Sequence, residues 1–401
     1  VWQAVGSFGL QIVAAWTLGP VGLGLISLSL GIVVLSTALA SGMIGDSLVI
    51  LDRSKPAVRG ALQGWALLLG AASGTVAAVA MGFTVLTPLQ AALFAAALVA
   101  FQFEELLRRV FMGLMQFWKL ILIDGAALIT ALAIIAGFVL TQSITVEAFF
   151  GALLAGQLVG IVIAIVLLPA SERFWASLRG ADFRGVAAFG AWRGAQVAVP
   201  QLMLTLSRVL VIAFAGGVAL GLVEGARIFA APVLLIVQGL GSYLLSTYVR
   251  DQELPVPVLR RRAWRASLLL MGGALVFGTG IVLAAPYLGH LVSGPSFSLD
   301  RITVAGWVCY VMASASFQPF ASLAAVKGRQ RRVFTCRLID AAFAALLLTA
   351  LLASGVSAAW TPFVLAAGLV VGGLLVRQFV LAPLSKPSTN STSTELRMSH
   401  A

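Results

Sequence analysis

The sequence predicts an all-α polytopic membrane protein with about 12 transmembrane helices in two six-helix lobes. Three observations predict this fold class: an apolar composition, a series of long apolar segments, and an alternating distribution of basic residues between them. Of the 401 residues, 60% are hydrophobic and only 10% are charged, whereas soluble domains carry about 25% charged residues. A water-soluble globular protein is therefore excluded.

The apolar segments have the length that a membrane crossing requires, which is about 20 residues in helical conformation. The first segment is shorter than the others. The predicted spans lie at about 1–17, 22–44, 61–82, 89–107, 120–140, 147–169, 192–215, 221–247, 264–288, 302–326, 333–353 and 360–383.

The basic residues set the predicted orientation in the membrane. The chain has 26 Lys and Arg against 14 Asp and Glu, a formal charge of +12. All but three of the basic residues lie on one side, which comprises every second connection, the span ends that border it and the C-terminal tail; the exceptions are Arg208, Arg227 and Arg301. An excess of Lys and Arg marks the cytoplasmic side, so both termini are predicted to be cytoplasmic. The basic clusters are not interleaved with stacking aromatic residues, which argues against nucleic acid as a partner.

The cysteines and histidines are too few and too scattered for a metal or disulfide framework. They are Cys309, Cys336, His290 and His400. We therefore expect no metal and no cofactor.

An internal repeat relates the two predicted lobes. At an offset of 197 residues, 18–25 aligns with 215–222, and five of the eight positions are identical. Each half contains an even number of spans and so crosses the membrane in the same sense, which predicts a pseudo-twofold axis along the membrane normal. The predicted organisation is an N-terminal lobe (1–169), a cytoplasmic linker (170–191), a C-terminal lobe (192–384) and a flexible cytoplasmic tail (385–401).

Charged residues inside the predicted spans are the candidate functional residues. A charge at the membrane centre costs at least ~2.5–3.5 kcal/mol, so such a residue normally faces a protein interior or a watery cavity. Arg208 and Arg227 lie at similar depth in neighbouring spans, and Glu224 precedes Arg227 by about one turn. The repeat places uncharged residues, Gln11 and Ser27, opposite Arg208 and Glu224. Helical spacing adds a polar lining predicted to consist of Gln11, Ser27, Gln201, Thr205 and Gln238.

Two interpretations of these charges remain open. Arginine presents a planar fork of donors that suits a phosphate or diphosphate group, so the pair predicts an asymmetric, cationic cavity. Alternatively, Glu224 neutralises Arg227 in a structural ion pair, and Arg208 reaches backbone carbonyls or another acid. The other acids are expected in structural pairs, with Glu104 and Glu105 each followed four residues later by an arginine.

Short motifs resemble the polysaccharide flippases of the Wzx type. They are Leu18-Gly19-Pro20 followed by Gly24, then Leu206-Ser207-Arg208 in the seventh span, and Ala230-Ala231-Pro232 in the eighth. Those flippases belong to the multidrug/oligosaccharidyl-lipid/polysaccharide (MOP) exporter superfamily. The resemblance implies a MATE-like fold, two six-helix lobes around a V-shaped cavity.

The resemblance also implies an activity: translocation of an undecaprenyl-diphosphate-linked oligosaccharide across the bacterial cytoplasmic membrane by alternating access. Coupling to a gradient of H⁺ or Na⁺ is expected, with membrane lipid and other glycan-assembly proteins as partners. In this interpretation Arg208 and Arg227 bind the diphosphate, the polar lining contacts sugar, and Glu224 couples transport to the ion or balances charge.

Two other functions are weighed against the flippase. A cation-coupled multidrug antiporter of the same superfamily predicts a buried carboxylate for the coupling ion and a weakly acidic cavity. A membrane glycan polymerase or glycosyltransferase needs a large outer loop or clustered catalytic side chains, and the sequence contains neither. We therefore predict a transporter rather than an enzyme.

Overall fold

The chain folds into long helices over the part that a computed structural model describes, which is residues 2–45, 47–48, 51, 55–172, 176–293 and 300–385. Most of the predicted tail, 386–401, lies outside the described residues. The long helices are α1 (Trp2–Ala40), α2 (Pro56–Thr84), α3 (Pro88–Gly113), α4 (Phe117–Leu140), α5 (Val146–Leu167), α6 (Phe183–Arg250), α7 (Val256–Ser293), α8 (Arg301–Val326), α9 (Gln330–Ala353) and α10 (Thr361–Leu375).

Two of these helices are each divided by a glycine. Gly19 in α1 has φ 66° and ψ −167°, and Gly216 in α6 has φ 84° and ψ 174°. Backbone with positive φ favours glycine because it has no Cβ. The two breaks are at equivalent positions of the 197-residue repeat, so the described chain has twelve helical segments, as the sequence predicts. Among the described residues, ten helices are long and apolar enough to cross a membrane when α1 and α6 are each counted once, and the chain is a multi-pass membrane protein.

The helix starts follow from local sequence. Pro56 and Pro88 occupy first-turn positions, where the missing N–H costs no hydrogen bond. Thr87 and Gln90 form a reciprocal capping box at the start of α3, and Thr145 caps α5. Asp300 caps α8 by accepting a hydrogen bond from the Ile302 amide at 3.1 Å.

Several helices extend beyond the predicted apolar segments. The α6 helix begins at Phe183, inside the predicted linker 170–191, and α7 begins at Val256 rather than near residue 264. Hydropathy detects only the part of a helix that lies in lipid, so it does not predict the polar first turns of these helices. A short π-helical segment follows α1 at Ser41–Gly45, and another follows α10 at Val376–Leu381.

The chain divides into two compact units. The first contains 1–228 with short segments from 286–299 and 352–358, and the second contains the remainder. In the first unit the rings of Phe94 and Phe150 pack with centroids 5.4 Å apart. The second unit has a buried cluster that includes Tyr248, Leu259 and Phe320. The lobe boundaries drawn from the sequence stay a prediction.

Candidate functional site

Arg208 and Glu224 face each other across the break in α6. The backbone leaves the helical conformation at Gly216, and Arg208 and Glu224 lie in the helical segments before and after that residue. Arg208 Nε donates to Glu224 Oε1 at 3.0 Å, and Nη2 donates to Oε2 at 3.3 Å. Both residues are buried in the first unit, with 6% and 3% exposure. This two-point geometry is the strong form of an arginine–carboxylate interaction.

Arg227 binds the same carboxylate. Its Nε donates to Glu224 Oε2 at 2.7 Å, and its Nη2 donates to Gln11 Oε1 at 3.3 Å. The structure thus brings together Arg208, Glu224, Arg227 and Gln11, which we call the arginine cluster. The pair of Glu224 with Arg227 in the structural interpretation is present, and Glu224 pairs with Arg208 as well, so one carboxylate accepts hydrogen bonds from both guanidinium groups.

The arginine cluster is basic. A carboxylate that accepts hydrogen bonds from two guanidinium groups is held in its ionised form. Two positive charges and one negative charge leave these side chains with one net positive charge. Arg227 retains 18% exposure of its side chain, against 7% for Arg208. Arg227 is therefore the member of the pair more open to a ligand.

The second segment of α1 holds Arg208 in place. Thr205 Oγ1 donates to the Gly31 carbonyl oxygen at 3.1 Å. A Cβ atom on Gly31 would collide with Nη1 of Arg208. The guanidinium group consequently lies against bare backbone of α1, and its position depends on the absence of a side chain at residue 31.

Three further residues are predicted to line the cavity. Ser27 is fully buried, and its Oγ has no hydrogen-bond partner among the described residues. Gln201 is half-buried, and Gln238 is an exposed residue of the second unit. The assignment of the lining residues to substrate binding stays a prediction.

A second charged cluster lies near the cytoplasmic ends predicted for α3 and α4. Glu105 pairs with Arg108 and with Arg109. Asp124 also pairs with Arg108, with Oδ1 and Nε 2.7 Å apart. The expected pairing of Glu104 with Arg108 does not form, since Arg108 turns to Glu105 and Asp124. The sequence could not distinguish Glu104 from Glu105, because each glutamate is followed four residues later by an arginine.

The second unit contains its own charged residues inside helices. Arg337 Nη1 lies 2.9 Å from Oδ2 of the buried Asp340, and the guanidinium group lies over the ring of Phe317. Arg377 in the second π segment stacks on Trp264 and Phe320, with its guanidinium carbon 4.9 and 4.2 Å from the ring centroids. It also donates to the Ser316 backbone oxygen at 2.8 Å. Sequence reasoning missed this stacking, which depends on three separate helices.

Solved structures with a similar fold are transporters. An inward-facing multidrug resistance MATE family transporter of the MOP superfamily aligns with a TM-score of 0.76 at 15% identity, over 97% of this chain and 96% of that one. An outward-facing conformation of such a transporter aligns with a TM-score of 0.65 at 17% identity, over 96% and 94%. A MOP superfamily transporter from Pyrococcus furiosus, whose binding pocket has reverse polarity, aligns with a TM-score of 0.65 at 15% identity, over 96% and 93%.

These likenesses show the fold. The chain has the fold of MATE transporters, which have twelve transmembrane helices in two lobes, and the fold class predicted from the sequence is confirmed. No protein-family profile matches the chain, and no curated protein sequence matches it significantly.

Proposed function

We propose that this chain is a secondary transporter that moves an amphiphilic substrate across a membrane by alternating access. The fold supports the proposal, since the similar structures are transporters and align over nearly their whole length. The internal repeat supports it as well, because two repeats in parallel orientation are a recurring architecture of alternating-access transporters.

The proposed substrate is an undecaprenyl-diphosphate-linked oligosaccharide. The observation that carries this proposal is the arginine cluster, in which one carboxylate is shared by Arg208 and Arg227. Guanidinium groups bind phosphate oxygens through paired, charge-assisted hydrogen bonds. A diphosphate could displace Glu224 from one guanidinium group while the other keeps the acid paired. In this proposal Gln11, Gln201 and Thr205 of the first unit contact the sugar, and lipid tails stay in the bilayer.

The polarity of the arginine cluster supports an anionic substrate over a cationic one. The described part of 1–45 contains no charged side chain, so no acid from α1 balances the two arginines. The Pyrococcus furiosus transporter with a pocket of reverse polarity is a precedent, within this fold, for a change in pocket charge.

Cation-coupled multidrug antiport is the second candidate, and the comparisons support it more directly. The inward-facing and outward-facing structures that align with this chain are both multidrug resistance transporters. A lipophilic organic cation would need an acidic or neutral site, and in the first unit it would meet the positive charge of the arginine cluster. The charge of the transported molecule therefore separates the two candidates.

A transport assay with purified protein in vesicles tests the proposal. One arm follows the movement of a fluorescent polyprenyl-diphosphate oligosaccharide between leaflets, and the other follows the efflux of a fluorescent organic cation. We expect transport of the diphosphate lipid and its loss in Arg208→Ala and Arg227→Ala. Arg301→Ala, at the start of α8 and exposed, is the matched control and should transport normally.

The outcomes discriminate between the candidates. Cation efflux without movement of the diphosphate lipid would support the antiporter function and exclude the flippase function. If both alanine variants move the diphosphate lipid at the wild-type rate, the arginine cluster does not bind the substrate. Membrane abundance of each variant must equal that of the wild type, so that loss of transport does not report loss of folded protein.

A further inference from the structure

One buried carboxylate in the first unit has no basic partner among the described residues. Glu104 is 3% exposed, and its Oε2 atom makes no hydrogen bond with any described group. It lies about one helical turn inside the predicted end of its span at residue 107. A carboxylate buried within a membrane span is costly and points to a functional site.

Glu104 lines a cavity of about 90 Å³. That volume holds several water molecules by the measure in which one water occupies about 10–15 Å³. The other polar side chains around the cavity come from three helices: Ser29 of α1, Asp124 of α4 and Gln157 of α5. Gln157 Oε1 is also buried without a hydrogen-bond partner among the described groups. The rest of the lining is apolar, with Phe94 and Phe150 on one side.

Gly160 of α5 makes room for the carboxyl group. A Cβ atom at this position would lie 2.9 Å from Glu104 Cδ and 3.0 and 3.1 Å from the two oxygens. The acid thus lies flat against a helix that carries no side chain at the contact. This packing holds the carboxyl group at the cavity wall.

The charged groups near Glu104 do not balance its negative charge. They are Asp124, Arg108 and Glu105. Arg108 is shared between Glu105 and Asp124, and Arg109 pairs with Glu105. Two arginines therefore serve three acids, and one negative charge remains in a buried, largely apolar environment, which strongly disfavours it.

We propose that Glu104 is an exchangeable proton-binding site. The carboxylate takes one proton from a hydronium ion in the cavity water, so that one O–H bond of hydronium breaks as the carboxylic O–H bond forms, and release returns the proton to water. A proton fits better than a metal ion because both oxygen atoms of Asp124 already face the guanidinium group of Arg108, which leaves fewer oxygen ligands for a cation. Coupling of this site to substrate movement rests on the proposed transport function, whereas the site itself does not.

Infrared difference spectroscopy of the purified full chain in lipid vesicles tests the site without any substrate. A titration from high to low pH should produce the C=O stretching band of a buried carboxylic acid. Glu104→Gln should remove that band, and Glu253→Gln, which changes an exposed carboxylate, should keep it. Addition of Na⁺ at constant pH should leave the band unchanged.

A second variant covers the case in which Glu104→Gln does not fold. Glu104→Asp keeps an acid but shortens it by one methylene, so the band should move in frequency. A band unaltered in either variant, or no such band in the wild type, would overturn the proposal. Loss of the band on addition of Na⁺ would also overturn it and would assign the site to a metal cation. None of these results depends on whether the chain transports a lipid or a drug.

Discussion

Gly24 and Gly221 are equivalent residues of the internal repeat, and each packs against the backbone of the opposite repeat. A Cβ atom on Gly24 would lie 2.6 Å from the Gly217 carbonyl oxygen, and one on Gly221 would collide with the Pro20 carbonyl. Pro20 and Gly217 are themselves equivalent at the offset of 197 residues. The contact is therefore pseudo-symmetric, and both partners lie just after the breaks at Gly19 and Gly216.

A side chain at Gly221 should separate these two backbones. We expect Gly221→Ala to lower the stability of the purified protein by about 1–3 kcal/mol, the usual cost of overpacking. Thermal unfolding in detergent measures the change. Gly9→Ala is the matched control, since a Cβ at Gly9 meets nothing within 4 Å. An unchanged unfolding temperature for Gly221→Ala would show that the contact is looser than described.

Gly31→Ala should displace Arg208 without altering any charge. The added methyl group occupies the space of Nη1, so the two-point contact with Glu224 should weaken. If the position of Arg208 matters for substrate, transport should fall at least as much as in Arg208→Lys. Initial transport rates of the two variants at equal protein abundance make the comparison. Full activity in Gly31→Ala would mean that the fork geometry is not required.

Glu224→Gln should be the most destabilising change in the arginine cluster. It removes the only carboxylate that the described structure places between the two arginines, and breaking a buried pair in this way costs about 3–5 kcal/mol. Replacement of both arginines together with Glu224 by glutamine should recover most of that loss. Unfolding curves of the single and triple variants measure it, and a triple variant no more stable than Glu224→Gln would contradict the assignment.

The second unit offers a similar test at Asp340. A Cβ atom on Gly372 would collide with the Asp340 carboxylate, which pairs with Arg337 at 2.9 Å. Gly372→Ala should therefore lower the unfolding temperature of the protein. Gly273→Ala should not, because nothing lies within 4 Å of a Cβ at that position. Equal unfolding temperatures for the two variants would contradict this description of the packing.

The sequence was sufficient to predict the twelve helical segments and the equivalence of Gly19 and Gly216. Apolar segments report membrane crossings directly, and a glycine-rich turn that recurs at a fixed offset reports a repeated backbone geometry. Helix ends outside the apolar core were less predictable, as the start of α6 at Phe183 shows.

Side-chain partners were harder to predict than helices. The sequence placed Arg208 and Arg227 at similar depth, but it did not reveal that Glu224 serves both. The rotation between the helical segments on either side of Gly216 decides that pairing. Glu104 and Glu105 are adjacent residues with the same spacing to a basic residue. Only the packing of α4 and α5 around α3 leaves one of them without a basic partner.

The charge of the bound substrate is the central claim, and native mass spectrometry of the purified protein measures it directly. We expect the wild type to retain an added polyprenyl-diphosphate lipid and the Arg208→Ala/Arg227→Ala variant to lose it, while both bind zwitterionic phospholipid equally. Retention of the diphosphate lipid by the double variant, or preferential binding of an organic cation by the wild type, would contradict the account.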